Sequence, residues 1–296
     1  MNTQPRHRVF SLGRIAAIAS NTLLELIRLK VFYFLLLFAL MIIGSSAFMV
    51  RFTFQEQFQV LKDVSLGAMS IFTWLLAVLA TAMLLPKDIE DRTLYTILAK
   101  PVPRFEYLIG KLLGVLLLLL VSTLLMSAVF AVVLYVREQG AIADAIHENA
   151  HAPQAEVQAA VQSIRASTFN PNLIPGIVMI YLKAALCAAL TLLISTFASS
   201  WIFTIIVSVV VYLIGHVEAT AREYWLAARG ASAAAKIILA LVALVFPDLN
   251  AFNLVDDINA GNAISHMLFL KTTALGVTYV CVYLFAAYLV FAKKEL

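Results

Sequence analysis

Charge is what this sequence has least of. Only 13% of its 296 residues are Asp, Glu, Lys or Arg, while 62% are hydrophobic. A soluble domain carries about twice that charged fraction, so a soluble globular class is excluded. Cysteine is nearly absent: Cys187 and Cys281 both sit inside apolar runs, which excludes a disulfide framework and reads as two small buried hydrophobes. No G-x-x-x-x-G-K-[ST] occurs, since Gly110-Lys111 lacks the rest of that loop. The chain therefore has no P-loop with which to bind ATP. No Ser-His-Asp or Cys-His set can be assembled on one membrane face. The net charge of +4 is small and gathers near the ends of apolar runs. It argues for membrane orientation and lipid headgroups, and against nucleic acid as a partner.

What the sequence has is long apolar runs with charged flanks, the mark of an all-α integral membrane protein and not of a barrel with short alternating segments. Residues 1–296 read as a single transmembrane domain. Residues 14–30 form an amphipathic pattern, with Arg14, Asn21, Glu25 and Arg28 on one face and Ile15, Ile18, Thr22 and Leu26 on another. That pattern suits a helix in the headgroup layer or a plain extension of the first span. No small-x-small cleavage site precedes Arg51, so the first apolar run is expected to be retained. Six spans are expected, at 31–50, 64–85, 112–136, 173–197, 201–217 and 272–292, with outer loops at 137–172 and 218–271. Pro86 and Lys87 are expected to end the second span. The charge-free stretch from Ala184 to Val217 is too long for one crossing, so a tight turn is expected at Ala198-Ser199-Ser200. The ten apolar residues before Pro247 are too few to cross, so 231–246 is expected to be re-entrant or interfacial. Five Lys and Arg precede Val31, five lie in 87–111 and two close the chain, against eight in the longer outer loops. That asymmetry places both termini and the 87–111 stretch in the cytoplasm.

The 87–111 stretch, KDIEDRTLYTILAKPVPRFEYLIGK, is the one long charged segment wedged between two apolar runs. Asp88, Arg92 and Tyr95 share one helical face; Leu94, Ile97 and Leu98 gather on another. Pro101 and Pro103 end that helix. From the residues alone it is either an ordinary cytoplasmic loop or a docking handle for a partner. Glu90, then Thr93-Leu94, Leu98-Ala99-Lys100-Pro101, Arg104 and Gly110-Lys111 resemble the signature between the second and third spans of ABC-2 type transporter permeases. Arg92, where that family commonly has Gly, is similar to the branch that includes permeases of copper-enzyme maturation systems. The resemblance implies a bacterial inner-membrane permease, an exporter by family habit, with residues 14–30 as its elbow helix. It implies that this chain is no enzyme and holds no cofactor, because a separate cytoplasmic ATPase binds ATP and Mg. That ATPase would dock on the 88–99 helix, through Asp88, Glu90, Asp91, Arg92, Thr93, Leu94, Tyr95, Leu98, Lys100, Pro101 and Arg104. A second cytoplasmic contact is expected at Ser199 and Ser200. The remaining partners would be membrane lipids and a second permease, either another copy or a sister chain.

Three further features compete with that reading or add to it. His147-Glu148-Asn149-Ala150-His151 matches the zinc-protease pattern H-E-x-x-H. The pattern needs two His on one helix face, a Glu base and a third ligand. Pro153 cuts the helix just after His151, and no carboxylate follows between Glu156 and Glu218. A membrane metalloprotease and a motor-free membrane scaffold are the alternatives. Lys183 is the one ionisable residue well inside a span; it either contacts a translocation path or snorkels to the interface. His216 and His266, at the ends of apolar runs, are expected at interfaces, without a visible partner.

Overall fold

The computed structural model describes residues 10–48, 54–90, 102–148, 153–198, 200–227, 248–254, 258 and 265–293. Among these there is no strand. Eight helices follow in order: α1 (Leu12–Ile27), α2 (Lys30–Ser45), α3 (Phe54–Glu90), α4 (Arg104–Glu148), α5 (Gln154–Thr168), α6 (Leu173–Phe197), α7 (Trp201–Ala227) and α8 (His266–Lys293). Short 3-10 turns occupy Ser46–Phe48 and Asn250–Phe252. Five helical stretches are long and apolar enough to cross a bilayer: Lys30–Phe48, Gln57–Glu90, Arg104–Glu148, the run ending at Phe197, and His266–Lys293. The apolar part of α7, Trp201–Val217, is shorter.

The centre of the bundle is α6. It packs on α3, α4, α7 and α8, and it is apolar around most of its circumference, as a helix surrounded by helices must be. The outer helices show the opposite pattern. On α2, Phe32, Leu35, Ala39 and Ile43 recur at helical spacing and are buried, while Phe34, Leu37 and Met41 point outward. An outward apolar face of this kind suits hydrocarbon, where no water penalises it.

Several expected boundaries move. Pro86 does not end the second span: α3 continues through it to Glu90. A proline inside a helix removes only its own N–H bond and crowds one carbonyl. Here Leu84, Leu85 and Asp88 on either side are buried, and that packing outweighs the loss. Residues 137–172 are mostly helical: the short amphipathic helix that Val157, Ala160, Val161 and Ile164 suggest after Pro153 is present as α5, and 137–148, expected as loop, is helix as well. α4 runs on to Glu148, and α5 folds back against it. Ala141 and Ala145, good helix formers, are buried, as is Ile164 of α5. At about 67 Å, α4 is more than twice the thickness of a hydrocarbon core, so one end must project from it. Lys62 of α3 holds α5 by donating to the Ser167 carbonyl at 2.5 Å. α7 likewise continues ten residues beyond Val217, to Ala227. The expected turn is where it was placed: α6 stops at Phe197 and α7 begins at Trp201. The 231–246 segment lies outside the described residues.

Candidate functional site: a buried charged junction

At the end of the bundle where α3 stops and α4 starts, charged groups from three helices converge. α1 lies along the first turns of α4, with Ile15, Ala19, Thr22 and Leu26 facing inward. Two glycines of α4 set how close it comes. A Cβ on Gly110 would lie 2.7 Å from Ile18 Cβ, and one on Gly114 would lie 2.6 Å from Thr22 Cβ and 2.9 Å from the Ala19 carbonyl oxygen. Only glycine permits that approach of two helix backbones.

Ion pairs then fix the contact. Arg14 donates to Glu106 through Nε at 2.6 Å and Nη2 at 2.8 Å, a fork on both carboxylate oxygens of the kind that gives Arg its geometric specificity. The Ser11 amide donates to the same carboxylate at 2.9 Å, so a negative charge sits at the start of α1, where the helix dipole favours it. The carboxylate's hydrogen bonds push the Arg14 guanidinium above its ordinary pKa, so the cation persists at any working pH. Lys111, buried, reaches Asp88 at 2.7 Å and Glu25 at 3.6 Å. The Tyr107 hydroxyl donates to Asp88 as well, and Lys87 reaches Glu25 at 3.2 Å. One buried ammonium therefore ties the last turn of α3, the first turns of α4 and the last turn of α1 together. Arg104 turns the other way: its Nη1 donates to the carbonyls of Phe291 at 3.0 Å and Ala292 at 2.9 Å. It satisfies the orphan carbonyls at the end of α8 and lies over the Phe291 ring.

The sequence-predicted residues divide accordingly. Asp88 and Glu90 belong to the final turn of α3 and not to a separate helix, with Asp88 buried and Glu90 exposed. Arg104 caps α8. Asp91, Arg92, Thr93, Leu94, Tyr95, Leu98, Lys100 and Pro101 lie outside the described residues, as do Ser199 and His151. Ser200 immediately precedes α7, its hydroxyl accepting from the Ile202 amide at 3.3 Å. His147 and Glu148 are exposed in the last turn of α4, and among the described residues no group of three or more His, Cys, Asp or Glu could hold a metal. The amphipathic pattern at 14–30 forms α1, which ends at Ile27 before α2 starts at Lys30.

Lys183 is buried, with Nζ 2.9 Å from His216 Nε2 and 5.6 Å above the Tyr212 ring. His216, expected to lack a partner, thus has one. Glu106, Glu25 and Gly114 were not among the expected site residues. The spacing Gly110-x-x-x-Gly114 is the signal that would have found the helix seam. Glu106 and Glu25 had none, since their partners are distant in sequence.

The Arg14–Glu106 fork makes an asymmetric prediction. Arg14→Ala leaves a buried carboxylate with one amide donor, whereas Glu106→Gln leaves an arginine that is partly exposed and can turn to water. Arg14→Ala is therefore expected to speed amide hydrogen exchange across 12–27 by roughly tenfold, and Glu106→Gln by less. The reverse order would show that the fork does not hold α1.

No protein-family model matches the chain, and no curated protein matches it, so the conclusion about its site stands on this geometry: three helix segments are locked into one block on either side of 91–101.

Proposed function

We propose that this chain is the membrane subunit of an ABC-2 type transporter, a permease driven by a separate cytoplasmic ATPase. The observation that carries the reading is the buried junction itself. A motor that pushes on a short segment between two spans needs that segment anchored, or the push is lost in local bending. Asp88 and Lys111 flank the segment and are bonded to each other and, through Glu25, to α1. A load applied to 91–101 would reach α1, α3 and α4 as one body. The resemblance of Glu90 through Lys111 to the family signature supports the same role.

Topology adds support. Ser11 bonds to Glu106, and the carbonyls of Phe291 and Ala292 bond to Arg104. The start of α1 and the end of α8 therefore share the end of the bundle that carries the α3–α4 connection. An even number of crossings is needed for that, and the five long helices with α7 make six. With the Lys and Arg bias, this end is cytoplasmic, in a bacterial inner membrane. α1 serves as the elbow: Leu12 and Leu24 are exposed apolar side chains on it, which suits the headgroup layer. Outward apolar faces on α2, α7 and α8 would meet lipid or a second permease.

The test is co-purification. The native chain is expected to bring down an ATPase containing a P-loop, and charge reversal at Glu90 or Arg92 is expected to abolish that association while leaving the thermal midpoint unchanged. Purification without any such ATPase would overturn the reading in favour of a motor-free scaffold.

A further inference from the structure

α6, ending at Phe197, and α7, beginning at Trp201, run antiparallel, and their polar residues are in register. Lys183, Cys187, Thr191 and Ser195 recur every four residues along α6; Thr204, Ser208, Tyr212 and His216 recur every four along α7. Each step along one helix is matched by the opposite step along the other. Lys183 meets His216 at 2.9 Å. Cys187, Thr191, Ser208 and Tyr212 line one cavity. The register carries on to Ser195 and Thr204. All but Tyr212 and His216 are buried.

Hydroxyls within apolar helices ordinarily donate back to a carbonyl three or four residues earlier. Ser195 does so, to Leu192 at 2.7 Å, as does Ser122, to Leu118 at 2.8 Å. Thr191 and Ser208 do not. Their hydroxyls are buried with no hydrogen-bond partner in the protein, and both residues line the shared cavity, which has room for about one water molecule. A buried hydroxyl left unpaired costs free energy. Two such residues on a space of that size make a site for a small hydrogen-bonding molecule.

The geometry points to a buried water site between α6 and α7, held by Thr191 and Ser208 and touching Cys187. It lies two helical turns along α6 from Lys183 and makes the α6–α7 contact a wet seam. It also solvates the seam that leads to the Lys183–His216 pair. His216 Nδ1 lies 3.0 Å from the Tyr212 carbonyl and donates to it. Nε2 is thus left as the acceptor for the Lys183 ammonium. The inference does not depend on an ATPase partner.

Cys187 is a built-in reporter, because the only other cysteine, Cys281, is exposed on α8 and lies off this seam. In a C281S protein transferred to D2O, the infrared S–H band of Cys187 should convert to S–D promptly. Thr191→Val with Ser208→Ala should slow that conversion at least about tenfold. A native Cys187 band that stays unshifted would overturn the proposal without reference to any variant. Conversion at an equal rate in the folded double variant would overturn it too.

Discussion

Lys111→Met is expected to destabilise the protein by about 3 kcal/mol or more, and Asp88→Asn in the same chain to restore a large part of that loss. The reason is the asymmetry of buried charge. With Lys111 gone, Asp88 loses the ammonium 2.7 Å from its carboxylate, and Glu25 loses one of its two lysines. A carboxylate buried to that degree cannot replace that contact with water without opening the α1–α4 contact. Neutralising Asp88 removes the charge that this ammonium balanced, and Asn can still accept the tyrosine's hydrogen bond. The measurement is a double-mutant cycle on reversible unfolding in detergent, where residues in one network should couple by about 1–3 kcal/mol. Strictly additive effects would show that Lys111 and Asp88 are neighbours without being partners.

Gly114→Ala is expected to cost about 1–3 kcal/mol although it adds a single methyl group. The added carbon would fall 2.6 Å from Thr22 Cβ and 2.9 Å from the Ala19 carbonyl oxygen. Neither atom is the free end of a flexible side chain, so α1 as a whole has to lift. Thr22→Ala should therefore fail to rescue the variant, because it keeps the offending Cβ. The readouts are the thermal midpoint and the amide exchange of 12–27. Wild-type values for both in Gly114→Ala would mean that α1 rides on α4 more loosely than the backbone approach implies.

Much of the architecture is legible in the residues. The apolar runs mark the long helices, and the charge-free stretch around 198–200 announces the turn between α6 and α7. Helix ends are less legible, because local rules lose to tertiary contacts. Pro86 reads as a stop, yet the buried side chains around it keep α3 going. The alanines after Val136 read as a small-residue loop, yet they are good helix formers with α5 to pack against. The site is the least legible part. Arg14 with Glu106, Lys111 with Asp88 and Lys183 with His216 are pairs that the fold assembles from separate helices. The Gly110-x-x-x-Gly114 spacing and the matched polar steps of α6 and α7 are written in the sequence. They acquire meaning only once the facing helix is known.

Pro86 has a mechanical consequence. It supplies no amide to the Ala82 carbonyl, so the final turn of α3 is joined to the rest of that helix by one fewer rung. The same turn is gripped from outside, through Asp88, by Lys111 and Tyr107. In a moving molecule, residues 87–90 would travel with the neighbouring rod and swivel against their own. The articulation therefore falls inside a continuous helix, one turn before the place where the covalent chain leaves it.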